Sequence, residues 1–241
     1  MKKTIICLFI NLFFISLAFT QGYKGEVDVT LLPVSGAHYQ PEYTFDAPVD
    51  AGKWANQKPG IHVAFGSEDQ LYLRAEVPEI KNEAVSWQAT GWKGERLNAQ
   101  IVVWSPDTLQ QVRFKVNDLK NEKGKVLSKN NIQLNKVCYV LSNYPYGSKE
   151  AVCGVGPYKN GYLMPDRFEA FDRFDVPGKT VRPVWLSCNI PADAEQGIYD
   201  GTIEVTSQNG NAVLNVKIKV QNQTLPKPQD WKHRYDLWQN P

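Results

Sequence analysis

Leu214, Val216, Ile218 and Val220 alternate with Asn215, Lys217 and Lys219 without a break, directly after Gln208-Asn209-Gly210-Asn211. A period of two sends successive side chains to opposite faces of a strand, so this run has one apolar face and one polar face. Ile203 and Val205 repeat the pattern on the other side of the turn. Asn-Gly between two such runs predicts a hairpin, because both residues tolerate positive φ. The apolar face of that hairpin needs a second surface to cover it.

The same period recurs upstream. Leu97, Ala99, Ile101 and Val103 share one face of a predicted strand, and Gln100, Val102 and Trp104 share the other. Val112, Phe114 and Val116 follow, and Ile132, Leu134 and Val137 open a strand that runs through Tyr139-Val140-Leu141. Val27 to Leu32 alternates briefly. Ile61 to Phe65 and Leu71 to Val77, joined across Gly66-Ser67-Glu68-Asp69, read as another hairpin. Trp54 is the expected apolar anchor of the Pro-, Gly- and Asp-rich residues 33–60. No helical pattern of ten or more residues follows residue 20. The predicted fold is therefore all-β, an antiparallel β-sandwich of Ig-like or jelly-roll-like kind.

Residues 142–182 break the rhythm. They hold Tyr144, Tyr146, Tyr158, Tyr162, Phe168, Phe171 and Phe174 among prolines and glycines. This predicts a long, aromatic, irregular excursion, either a functional surface or a flap over the sandwich edge. Tyr144, Tyr146, Tyr158 and Tyr162 are its candidate sugar-stacking residues. Asp166, Glu169, Asp172 and Asp175 lie among the aromatics and read as its solvated side more readily than as sugar ligands.

The first twenty residues read as a secretory signal peptide. Lys2 and Lys3 precede an apolar run to Leu17, and Ala18-Phe19-Thr20 offers small residues before Gln21. Cleavage near Thr20 implies a periplasmic or extracellular protein. Removal of that segment takes two lysines and no acid from 27 basic and 25 acidic residues, leaving 25 of each. Such a balance argues against a nucleic-acid surface or a polybasic membrane anchor. Of four cysteines, Cys138, Cys153 and Cys188 remain, an odd number that excludes a complete disulfide framework. One bridge, Cys138 to Cys153, and a set of buried free thiols both stay open.

Catalytic patterns are missing. There is no Gly-x-Ser-x-Gly elbow, no paired-histidine metal motif and no phosphate loop, and His38, His62 and His233 are far apart. No catalytic residue, metal site or cofactor is expected. Glu68-Asp69 is the one adjacent Glu-Asp pair, a weak candidate for contacting sugar hydroxyls from a turn. Glu95 and Arg96 stand as either a buried brace or a surface pair.

Four segments carry a family resemblance. They are Pro59 to Asp69 with Tyr72 and Pro78; Trp92 to Ser105; Arg182 to Ala194 with Gly197-Ile198-Tyr199-Asp200-Gly201; and Tyr235 to Pro241. Together they resemble the N-terminal β-sandwich region of glycoside hydrolase family 123. The physical reading of the third segment puts Trp185 and Tyr199 in a core, with Trp92 and Trp104 doing the same. The resemblance implies exo-acting hydrolysis of terminal β-linked N-acetylgalactosamine, with the substrate's acetamido oxygen as nucleophile and an adjacent Asp-Glu pair assisting. Those acids belong to a (β/α)₈ barrel that follows the tail motif, so none is carried over to this sequence.

The expected organisation is a signal peptide (1–20), N-terminal β hairpins packed on the sandwich (21–90), the β-sandwich (91–225), and a linker with the start of a missing barrel (226–241). Leu225-Pro226-Lys227-Pro228 supplies the stiff linker, and Trp231, Tyr235, Leu237 and Trp238 form an apolar segment seeking a partner. The expected function is that of a non-catalytic module of an exported family 123-like glycoside hydrolase. The alternative is a stand-alone secreted carbohydrate-binding sandwich. Expected partners are the barrel and glycans, with no nucleic acid and no membrane after signal cleavage.

Overall fold

The structure, a computed structural model, describes residues 26–28, 42, 51–80, 84–142 and 160–232. In chain order the elements are β1 (Glu26–Asp28), α1 (Ala51–Ala55), β2 (His62–Gly66), β3 (Ser86–Lys93), β4 (Arg96–Ser105), β5 (Leu109–Val116), β6 (Leu119–Asn121), β7 (Val126–Leu127), β8 (Ile132–Ser142), β9 (Asn160–Glu169), β10 (Phe174–Val176), β11 (Thr180–Asn189), β12 (Gly197–Ser207) and β13 (Gly210–Thr224). The chain forms a β-sandwich, as the alternation predicts.

The first sheet has six strands in the order β1-β9-β8-β11-β4-β2. The second runs β10-β5-β12-β13-β3, with β6 and β7 attached to β12. Among the described residues every strand pairing is antiparallel except β13 with β3, which is parallel. Those two strands come from opposite ends of the sandwich sequence, and a parallel pair needs such a long connection. β2 and β3 are therefore edge strands of the two sheets.

Both faces of the period-two runs are accounted for. Ala99, Ile101 and Val103 of β4 and Val184, Leu186 and Cys188 of β11 meet Ile203, Leu214, Val216 and Ile218 in the main core. Tyr199 joins them, fully buried. The opposite face of β4 builds a second cluster. Val102 and Trp104 pack there with Ala64, Val181, Tyr72 and Trp54. The expected Trp54 anchor is thus found, on a single turn of helix whose indole N–H donates to the Ala75 carbonyl at 2.9 Å.

Four expectations change. Leu71 to Val77 does not pair with β2. Tyr72, Arg74 and Ala75 are buried and Leu71 is exposed, so the alternation reports a segment lying across the first sheet, not a ladder. Residues 160–169, 174–176 and 180–182 are strand, so much of the described part of the excursion belongs to the sheets, and residues 143–159 lie outside the described residues. The final hairpin pairs Ser207 with Gly210, which places Gln208 and Asn209 in the loop and only Gly210 at positive φ. Trp92 is 42% exposed, not in the core, because its position on β3 faces outward beside Gln221, to which its indole N–H donates at 3.1 Å.

Pro183 explains a split in the first sheet. Val181 turns its N–H away from β4 to the Arg74 carbonyl at 2.8 Å. Pro183, two residues on, would point the same way but has no N–H. The β8–β11 ladder accordingly ends one residue later, at Val184 with Lys136. The 72–74 segment and Tyr139 occupy the gap. The Tyr139 hydroxyl is shared between the Tyr72 carbonyl at 3.0 Å and the Val181 carbonyl at 2.9 Å.

Candidate functional site

The outer face of the first sheet divides into a covered half and an open half. α1 and residues 72–80 cover the end bearing Val102, Trp104 and Val181. The other half carries Trp185 on β11, with Gln100 of β4 and Asn135 of β8 as its register partners. Ser187 lies beside it, flanked by Asn98 and Gln133. Phe168 of β9 stacks on Trp185 with ring centroids 5.5 Å apart and planes 27° from parallel.

Hydrogen bonds fix the polar members. Asn98 Oδ1 accepts from the Trp185 indole N–H at 3.3 Å and from the Ser187 hydroxyl at 2.9 Å. Gln133 Nε2 donates to Asn135 Oδ1 at 3.5 Å. Gln100 Nε2 donates to the carbonyls of Ser67, at 2.7 Å, and Gln70, at 3.0 Å. The Ser67 N–H donates to the Tyr72 hydroxyl at 2.9 Å. The turn that carries Glu68 and Asp69 is therefore held against the register partner of Trp185. Both acids are exposed there. Partial burial, with the Asp69 carboxylate next to it, pushes the Glu68 carboxyl above its ordinary value.

The remaining sequence candidates fall elsewhere. Tyr144, Tyr146 and Tyr158 lie outside the described residues, and Tyr162 enters only through its backbone, opposite Ser142 and Glu26. Asp172 pairs with Arg113 at 2.9 Å, and Asp175 accepts the Gln111 N–H at 2.8 Å. Glu169 bridges Lys136 at 2.7 Å and Arg167 at 3.2 Å. Each of these acids contacts a neighbouring strand or its own, and Asp172 stays largely exposed. Glu95 and Arg96 do not pair with each other: Glu95 accepts the Trp92 N–H at 2.7 Å, and Arg96 Nε donates to Asn189 at 2.8 Å. His62 stacks on Trp104, and its Nε2 lies 2.7 Å from the Lys58 carbonyl.

Sequence reasoning placed Trp185 in a core and passed over Asn98, Asn135 and Gln133. The signal was present: Trp185 alternates with Val184 and Leu186, so one of the two sets had to face away from the main core.

Cys138 and Cys188 are buried free thiols. Cys153 lies outside the described residues. Among the described residues no three His, Cys, Asp or Glu side chains gather to hold a metal ion, and no helix is long and apolar enough to cross a membrane.

Comparison with known proteins gives the family. The model of the glycoside hydrolase 123 N-terminal domain matches residues 65–207. Among solved structures, a family 123 glycoside hydrolase from Clostridium perfringens, analysed for glycolipid glycan hydrolysis, is similar with 24% identity and a TM-score of 0.61. The similarity covers 71% of this chain but 29% of that enzyme. The CooA pilin subunit of enterotoxigenic Escherichia coli is a looser likeness, at 9% identity and a TM-score of 0.35 over 67% of this chain and 99% of that one. No curated protein matches.

Proposed function

The chain belongs to the family of glycoside hydrolase 123 N-terminal domains, and we propose on that premise that it is the non-catalytic sandwich module of an exported glycoside hydrolase acting on N-acetylgalactosamine-containing glycans. The match over residues 65–207 carries this reading. It rests as well on the use of the described acids. Glu169, Asp172 and Asp175 hold strands and loops together, and Glu68 and Asp69 stand on an open turn without the enclosed pair of acids that glycoside hydrolysis commonly employs.

In this reading residues 1–20 direct export and are removed near Thr20. Residues 226–241 lead towards a (β/α)₈ barrel, whose active site would sit on the loops after its own strands. The sandwich supports that barrel. A stand-alone carbohydrate-binding protein is the second reading, favoured by one observation, the open face around Phe168 and Trp185. N-terminal sequencing of exported protein tests the first step: the account expects a start at Gln21, and a start at Met1 contradicts export by signal cleavage. Hydrolysis of an aryl β-N-acetylgalactosaminide by the purified chain tests the non-catalytic role.

A further inference from the structure

The geometry points to a sugar-binding site on the open half of the first sheet's outer face, in which Phe168, backed by Trp185, stacks on a galacto-configured pyranose and Asn98, Asn135 and Gln133 bind its hydroxyl or acetamido groups. The choice of sugar rests on the function proposed above; the site itself rests on the face.

Phe168, the penultimate residue of β9, is 52% exposed and pairs with Val137 of β8. Its ring lies on that of Trp185, so Trp185 backs one side of Phe168 and leaves the outer side of the ring to a ligand. Aromatic faces of this kind take flat partners. In a galacto pyranose the axial O4 leaves C3–H, C4–H and C5–H together on one face. That face is apolar, while the hydroxyls radiate from the ring's edge.

The polar groups beside the rings match that edge. Asn98 Oδ1 is already engaged by Trp185 and Ser187, which turns its Nδ2 to donate elsewhere. Asn135 and Gln133 stand one strand over, on β8. An apolar protein surface laid on this face would bury these amides without partners, at a cost of roughly 1–3 kcal/mol each. A protein interface normally keeps its polar groups at the rim of an apolar centre. Here they are interleaved with the rings, as in ligand sites where a few polar groups orient a stacked molecule.

The side chains are also set before any ligand arrives. They stand on β4, β8, β9 and β11, and the contacts of Asn98 with Trp185 and Ser187 and of Phe168 with Trp185 hold those side chains in place, which reduces the ordering cost of binding. Gln100 places the 67–70 turn at the border of the face. Glu68 and Asp69 there offer carboxylate oxygens that accept from sugar hydroxyls.

Saturation-transfer NMR on the full chain, with methyl β-N-acetylgalactosaminide, methyl β-galactoside and methyl β-glucoside as probes, tests the site. Transfer should be strongest to H3, H4 and H5 of the two galacto sugars. Phe168→Ala should weaken binding by about tenfold, ~1.4 kcal/mol, and Phe168→Tyr should retain it. Trp92→Ala, an exposed Trp on the other sheet, should leave it unchanged. Circular dichroism and melting of each variant establish that it is folded. No transfer from the unaltered chain overturns the proposal, and so does equal transfer from Phe168→Ala. Loss with Trp92→Ala but not Phe168→Ala overturns it by moving the site to the other sheet. Sedimentation showing self-association that Phe168→Ala abolishes, with no sugar bound, overturns it by assigning the face to protein. The function proposed above fails separately, by turnover in a hydrolysis assay, whatever the binding result.

Discussion

Arg182 and Glu42 form a buried ion pair across 140 residues of sequence. Arg182 Nη2 donates to Glu42 Oε2 at 3.1 Å, and Nη1 reaches both Glu42 Oε1 and the Val137 carbonyl, the latter at 2.9 Å. The Tyr139 N–H donates to Glu42 Oε1 at 3.0 Å, and the guanidinium lies 5.2 Å from the Tyr139 ring centroid. Their side chains are 8% and 15% exposed. This pair fills the split between β8 and β11 with charge where a ladder would have supplied backbone hydrogen bonds.

Breaking such a pair leaves a charge in the interior, which costs about 3–5 kcal/mol. Glu42→Gln and Arg182→Met should each lower stability by that order in urea unfolding. The double variant Glu42→Leu/Arg182→Met should lose less than the sum, because no unpaired charge remains. Single variants within about 0.5 kcal/mol of the parent would show that the pair does not hold the split together.

The last hairpin makes a test of the period. Ile218 is fully buried in the main core, while Lys217 is exposed and bridges Asp200 at 3.0 Å. Ile218→Ala should cost roughly 2–5 kcal/mol through lost packing and a residual cavity. Lys217→Ala removes an exposed pair and should cost under about 1 kcal/mol. Equal losses in thermal or urea melts would contradict the assignment of faces.

Gly201 gives the Gly-Ile-Tyr-Asp-Gly segment a steric meaning. A Cβ there would stand 2.8 Å from Leu119 Cγ and 3.2 Å from the Asp118 carbonyl oxygen. β6 crosses β12 too closely for a side chain. Gly201→Ala should destabilise by about 1–3 kcal/mol, visible as a lower melting temperature. An unchanged melt would mean that β6 moves aside without cost.

Burial pushes the Cys188 thiol from 9.0 up to about 12. A raised folded-state value leaves this contribution fully present below about pH 9, where both states keep the proton. Between pH 9 and about 12 the unfolded chain ionises first, so stability falls as pH rises. Burial raises Tyr139 and Tyr72 as well, and both act in the same direction above their ordinary value of 10.0. Urea midpoints across that window should decline, and less steeply in Cys188→Ala. Below it, thiol reagents should label Cys188 only on unfolding. Rapid labelling of the folded chain would contradict a buried, protonated thiol.

The sandwich was legible wherever a strand has one face in the main core. Leu214 to Val220 and Leu97 to Trp104 show their period plainly, and both runs are strands. Legibility failed where alternation had another cause. Tyr72 and Arg74 alternate because they dip onto the sheet, and no local signal separates that from ladder pairing. The alternation of their segments predicts Trp185 and Trp92 in a core, but strand parity turns both outward. The open face draws Phe168, Trp185, Asn98, Asn135 and Gln133 from four strands, and only the register β9-β8-β11-β4 brings them together. Glu42 could not be matched with Arg182 for the same reason.

The central claim is that this family 123 sandwich does no hydrolysis of its own. The direct measurement is release of aryl alcohol from an aryl β-N-acetylgalactosaminide by the purified chain, alongside a Glu68→Gln/Asp69→Asn variant. The account predicts buffer-level release from both. Turnover above buffer that is lost in the variant would contradict it and make the 67–70 turn a catalytic site.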